Sequence, residues 1–311
     1  MSTIDVHLFG KFAIYVENQA VECFRCRKAL DLFCYLMLHR EQPHHRDQLA
    51  EAFWGHRCTA ESKKYFRKTL WQLQSALEQL PYPANTNLLL VEHDWLQINR
   101  RIDFWLDVME FESIYSTLAG ARGWDLDQQN FRAAQDAVSL YKGDLLGGCY
   151  QDWCIYERER FKDMYFVLVD KLMGYCESNQ KYEIGILYGK KLLGLDRARE
   201  RTHMRLMRLF YLAGDRTAAI RQFELCRDAL EQDLNIEPGL RTLEVYRQIR
   251  NDRMVNSHPS LELSQQPEGP ALVSAKESLR KIKGLLAIQA SILQQILKEI
   301  RSIEETISNR K

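Results

Sequence analysis

Residues 4–24, which open IDVHLFGKF and run on through AIYVENQAVEC, alternate apolar and polar positions and break at Gly10 and at Glu17-Asn18. A period of two marks half-buried strands, so two or three short strands joined by tight turns are predicted. The period then becomes helical. A first helix is expected from about Arg27 to Arg40 on the stripe Leu30, Phe33, Cys34, Met37 and Leu38, and Pro43 stops it. A second runs from His45 to Trp54, with Leu49, Ala52 and Phe53 inward and Gly55 at its end. A third starts near Thr59, whose hydroxyl can cap the first turn, and carries Phe66, Leu70, Leu73 and Leu77 on one stripe until Pro81 and Pro83. Two β patterns follow, Leu88 to Val91 and Trp95 to Ile98, with His93-Asp94 between them. A sheet, three helices and a hairpin, in that order, predict a winged helix-turn-helix over residues 1–105.

From Asp107 every pattern is helical. Stripes run over 107–119, 128–142, 152–178, 181–194, 198–213, 215–232 and 238–252. A weak period of 34 lays Gly185-Ile186 on Ala219-Ile220, and AGDRTAAIRQFELCRDAL has the small-residue positions of a tetratricopeptide (TPR) helix pair. A TPR-like all-α domain over 106–253 is expected, with a generic helical bundle as its rival. Residues 254–274 hold three of the seven prolines and little period, which reads as a linker. Regularity returns in 275–311. Leu279, Ile282, Leu286, Gln289, Leu293, Ile296, Ile300, Ile303 and Ile307 alternate steps of three and four, a heptad repeat. Leu at a with Ile at d, flanked by Leu285, Ile292 and Leu297, favours a trimer or tetramer over a dimer. An amphipathic membrane-surface helix and a helix folded back on its own body are the alternatives, but a polar face of both signs suits a coiled coil better. The expected fold class is mainly α with a small β part.

Charge sharpens the picture. The 311 residues carry a net charge of +1, yet Phe24 to Glu78 hold ten Lys/Arg against six Asp/Glu, a local +4 on a body near −3. Such asymmetry suits a nucleic-acid binder. Opposite its apolar stripe the third helix shows Lys64, Arg67, Lys68 and Trp71, and a helix has the width of the DNA major groove. Arg67 and Lys64 are candidates for guanine, Gln72 or Gln74 for adenine, and Trp71 either stacks on the duplex or covers the core. Lys63, Lys68, His45, Arg46, Arg100 and Arg101 are phosphate candidates. No membrane partner is expected, since no apolar run reaches about 18 residues. With no secretory segment in view, the eight cysteines read as reduced and the location as cytoplasmic. Cys23 and Cys26 have metal-ligand spacing without a second pair, and the adjacent His44 and His45 cannot share a helical face, so no metal or other cofactor is expected. No nucleophile elbow, HExxH or phosphate loop occurs, and GILYGKK has the wrong spacing for one, so catalysis is not expected. Asp103, Asp107, Asp125 and Asp127 read as helix caps.

Several stretches resemble a known family. LFGKF, RKALDLFCYLMLHREQPHHRDQLAEAFWG and ESKKYFRKTLWQLQSALE are similar to the strands, first helices and recognition helix of the SARP-type bacterial activators, which have an OmpR-like winged helix. IDFWLDVMEFE, LYKGDLLGG, DWCIYERERF and, most specifically, RERTHMRLMRLFYLAGDRTAAIRQFELCRDALEQDLNIEP resemble the bacterial transcriptional activator domain that follows it. The likeness spans about residues 4–252 and implies a DNA-binding transcription activator that sits on promoter direct repeats and touches RNA polymerase and its sigma factor. By the same resemblance the loop His56 to Ala60 faces polymerase, and Arg57 is the candidate contact. Gln72, Gln74 and Ser75 stand where the family usually has an Arg-rich run, and the heptad tail has no counterpart in it. A protein–protein adaptor, with the winged helix as a docking module, is the alternative.

Overall fold

The computed structural model describes residues 4–55, 58–81 and 87–253. Arg57, the stretch 254–274 and the heptad positions from Leu279 to Ile307 lie outside the described residues.

The predicted opening strands are β1 (Ile4–His7), β2 (Ala13–Val16) and β3 (Gln19–Ala20). Glu17 and Asn18 turn β2 into β3 with φ of 51° and 64°, the two left-handed residues of a tight hairpin. Three helices follow: α1 (Arg27–Leu38), α2 (Arg46–Trp54) and α3 (Thr59–Leu77). Then come β5 (Leu89–Glu92) and β6 (Trp95–Ile98), paired from Leu89↔Ile98 to Glu92↔Trp95 around His93 at φ 48°. Two strands were not expected. His44–His45 forms β4, which pairs with β6 and makes the sheet order β4-β6-β5. Phe104–Leu106 forms β7, which runs parallel to β1 and completes the order β3-β2-β1-β7. Two local details differ as well. Ala50, not Ala52, is buried on α2. Thr59 is the first residue of α3, one position inside the cap, which is Cys58 and makes no side-chain cap bond.

Beyond β7 the described chain is helical: α4 (Asp107–Thr117), a 3-10 turn (Gly123–Asp125), α5 (Gln128–Leu140), α6 (Asp152–Ser178), α7 (Tyr182–Leu195), α8 (Glu200–Leu212), α9 (Arg216–Leu234) and α10 (Leu240–Arg250). Successive helices from α6 to α9 pack on one another, and α10 closes on α8 and α9. Asp127 and Asp215 cap α5 and α9 by accepting from Asn130 N and Ala218 N. Asp107 does more than cap. Buried at the first turn of α4, it accepts from Leu8 N at 2.9 Å, Phe9 N at 3.0 Å and its neighbour Val108 N at 2.8 Å.

That carboxylate stitches the strand end to the helices, and apolar packing continues the join. One core runs from Ile4 of β1 to Leu209 of α8. Phe9 meets Phe111, Tyr141 and Phe161 at centroid distances of 5.0–5.4 Å. Trp153 of α6 lies against Tyr35 of α1 and Phe53 of α2, and Lys28 Nζ donates to Gln151 Oε1 at 3.0 Å. The three-helix unit is therefore seated on the helical part through α1 and α2. α3 packs against that same pair.

Candidate nucleic-acid interface

α3 is held by its inner stripe. Phe66, Leu70, Leu73 and Leu77 are all buried, as the spacing predicts, with Ser62, Thr69 and Ala76 beside them. Ser62 Oγ donates to Trp54 O at 2.9 Å and so fixes the angle between α2 and α3. At about 100° per residue the opposite face centres on Lys64, Lys68 and Trp71, with Arg67 towards one edge, and all four are exposed.

Among the described residues none of Lys64, Arg67 and Lys68 is in an ion pair. Arg67 Nε reaches only its own helix, donating to Lys63 O at 3.3 Å. Trp71 is 66% exposed and does not cover the core. Its ring is open to a stacking partner. Gln74 is exposed on one flank, while Gln72 is half-buried on the other, beside Phe24, Cys26 and Ala29.

The phosphate candidates divide. His45 packs edge-on against Trp95 of the hairpin at 5.2 Å, and its Nδ1 accepts from Asp47 N, capping α2. Arg46 is half-buried. Lys63 pairs with Asp47 at 2.8 Å, and the ammonium holds that carboxyl below its usual range. Arg100 pairs with Glu41 at 2.8 Å. Arg101 is exposed. To meet a phosphate, Lys63 and Arg100 would have to give up a carboxylate partner, whereas Lys68 and Arg101 would not. Trp95 is a further surface residue that the sequence candidates leave out. It is 47% exposed at the turn end of β6, and the alternation of Trp95-Leu96-Gln97-Ile98 already pointed it away from the core.

His44 is buried and bonded to His39 O through Nε2, so the histidine pair makes a strand and a cap. Cys23 is buried, Cys26 is half-buried, and burial pushes the Cys23 thiol up to about 11. All eight cysteines are free thiols, and no group of metal-ligating side chains occurs among the described residues. No helix among the described residues is long and apolar enough to cross a membrane.

The family model of the bacterial transcriptional activator domain matches residues 106–250. The match covers a little under half of the chain. It begins at Leu106 of β7 and takes in every helix from α4 to α10. Mycobacterium tuberculosis EmbR, solved in complex with a low affinity phosphopeptide, has a similar structure: the TM-score is 0.62 at 16% identity, over 82% of this chain and 67% of that one. At this identity the likeness is one of fold, and it extends beyond the activator domain. None of the curated proteins matches. The likeness to SARP-type activators read from the sequence thus holds, and the domain family is one of transcription regulators, not of enzymes.

Proposed function

We propose that the protein is a sequence-specific DNA-binding transcription activator in which residues 1–105 are a winged helix-turn-helix, 106–253 the TPR-like activator domain, 254–274 a linker and 275–311 a coiled-coil oligomerisation helix. The observation that carries this reading is the outer face of α3. Three cations with no carboxylate partner among the described residues and one solvent-exposed tryptophan stand on a helix whose inner face is fully committed to the core. Such a face is charged at a cost that a polyanion repays.

In the complex α3 lies in the major groove. Arg67 and Lys64 read guanine O6 and N7, and Gln74, being the more exposed of the two glutamines, reads adenine ahead of Gln72. Trp71 stacks on sugar or a thymine methyl. Lys68 and Arg101 meet phosphate first, with Lys63, Arg100, His45 and Arg46 as second contacts. β5 and β6 form the wing, with Trp95 at its tip. By resemblance to the SARP-type activators, the sites are direct repeats in a promoter, the loop around Arg57 meets RNA polymerase and its sigma factor, and the protein works in the cytoplasm. The tail multiplies weak single contacts, since a second head tethered to the first binds intramolecularly.

A gel-shift series across salt, on sites chosen by oligonucleotide selection, tests this. Arg67→Ala is expected to cost about 1–3 kcal/mol on the specific site and to blur one base position. Lys68→Ala is expected to weaken all sequences alike and to lower the salt slope by about one. If neither variant changes binding, the α3 assignment fails. A selection that enriches no sequence, with no salt-dependent binding to duplex, would favour an adaptor built on the helical part.

A further inference from the structure

A cleft of about 410 Å³ opens where the β1–β2 turn, the N-terminal end of α1 and the loop between α5 and α6 meet. That volume is in the range of small-molecule sites, roughly 300–1,000 Å³. Backbone bonds hold the turn and the loop together: Gly10 N donates to Asp144 O at 2.9 Å, Leu146 N to Leu8 O at 2.9 Å and Gly147 N to Gly10 O at 3.2 Å. Phe12, Leu30 and Leu146 give the cleft apolar lining, and Lys11 and Arg27 bring charge to it.

We propose that this cleft binds a small organic anion, its carboxylate or phosphate held by Arg27 and Lys11 and its apolar body laid against Phe12, Leu30 and Leu146. Arg27 uses Nε on Asp31, at 2.9 Å. Its Nη1 and Nη2, which bond nothing among the described residues, stand 3.6 Å from the point where a Cβ on Gly148 would lie. Two guanidinium nitrogens side by side match two oxygens of a carboxylate or phosphate. Lys11 is exposed and has no carboxylate partner among the described residues. Asp31, the one carboxylate in the lining, is buried and already paired with Arg27. An anion there faces two cations, with the opposing charge already engaged.

The glycines of the lining point the same way. Gly10 answers a backbone demand: its φ is 74°, and a Cβ there would lie 3.4 Å from Lys142 O. Gly147 and Gly148 answer none. Neither has a positive φ. Cβ atoms there would stand 3.7 Å from Gly10 O and 3.6 Å from the Arg27 Nη atoms, which are ordinary contact distances. The fold admits a side chain at both positions, and what the bare pair leaves is room beside the guanidinium. The ligand would also join two parts of the chain. Gly147 and Gly148 belong to the stretch matched by the activator-domain model, whereas Lys11 and Arg27 precede it. Occupancy therefore ties the β1–β2 turn and α1 to the helical part. The inference does not depend on the DNA-binding reading.

The test titrates the full-length protein with phenyl phosphate and benzoate, which carry both an anion and an apolar body, and with inorganic phosphate and phenol, which carry one each. At least one of the first two is expected to raise the Tm with concentration at millimolar levels, and the last two to act more weakly. Arg27→Gln is expected to weaken binding at least about tenfold, the worth of a charge-assisted hydrogen bond. Gly148→Leu, which fills the cleft from a position whose backbone accepts a side chain, is expected to abolish it. With ligand bound, amides of residues 10–12, 27–31 and 146–148 are expected to exchange more slowly. Should Arg27→Gln not fold, because it strips buried Asp31 of its partner, Gly148→Leu and Lys11→Ala decide. No binding by either of the first two probes would overturn the site. So would equal binding by wild type and Gly148→Leu, or protection confined to α3. Inorganic phosphate binding as tightly as phenyl phosphate would overturn the apolar half of the proposal.

Discussion

Asp107 shows how much one side chain decides here. It accepts from three backbone N–H groups, two of them 99 and 98 residues away in sequence, and His7 Nδ1 stands 3.8 Å off. Asp107→Asn keeps the size but turns an NH2 towards groups that donate, so a loss of about 1–3 kcal/mol is expected at neutral pH, read from urea unfolding. The pH dependence has a definite sign. Burial pushes the Asp107 carboxyl above its ordinary 3.8, against the pull of the N–H groups. A raised folded pKa means that the folded chain holds the proton more tightly, so this site contributes most below 3.8 and less as pH rises through the folded value. The gap between wild type and variant should therefore narrow from acid to neutral pH; a gap that widens would contradict the shift. The sequence marked Asp107 as a cap and stopped there, because a cap is a local pattern and the bonds to Leu8 and Phe9 are not. The same holds for the interface. The exposed face of Lys64, Arg67, Lys68 and Trp71 followed from helical period alone, whereas the pairing of Lys63 with Asp47 and of Arg100 with Glu41 spans 16 and 59 positions and left no trace in any window.

At the scale of elements, long periodic helices were legible to within a few residues, α4 through α10 included, since each carries apolar positions at helical spacing. β4 and β7, of two and three residues, were not: strands so short carry no period, and what makes them strands is a partner far along the chain. The 3-10 turn at Gly123–Asp125 is of the same kind. It docks on α6 so closely that a Cβ on Gly123 would lie 2.5 Å from Lys171 O and 2.9 Å from its Cα, with the Cα of Gly174 at 3.1 Å. Backbone cannot rotate away as a side chain can. Gly123→Ala is therefore expected to destabilise by about 1–3 kcal/mol, visible as a lower Tm. Gly194 gives the contrast. It lies in α7, and a Cβ added there would meet nothing within 4 Å, so Gly194→Ala is expected to stabilise by up to about 1 kcal/mol through helix propensity alone. Equal melting points for the two variants would mean that the turn is not seated on α6 as described.

For the whole molecule, the proposed function turns on how one weakly binding head would become promoter-specific. The described residues supply a single cationic helix face on a rigidly joined body, with α1 and α2 seated against α6 through Tyr35, Phe53 and Trp153. A head fixed to its own body cannot adjust its angle, so two heads on direct repeats need freedom between their bodies. In the proposed assembly residues 254–274 provide it, and the heptads from Leu279 to Ile307 hold the copies together. The r.m.s. span of about 20 such residues is roughly 25 Å, comparable to the 34–36 Å of one helical turn between half-sites, so the tether holds the second head at high effective concentration without fixing its orientation. Deleting residues 275–311 should then leave a folded head with the same single-site affinity, a smaller particle in light scattering, and weaker binding to a repeated site. The loss should shrink when the repeat is cut to one copy. An unchanged mass would remove the tail from the mechanism, and an equal loss on single and repeated sites would mean that the tail acts through the head instead of by joining copies.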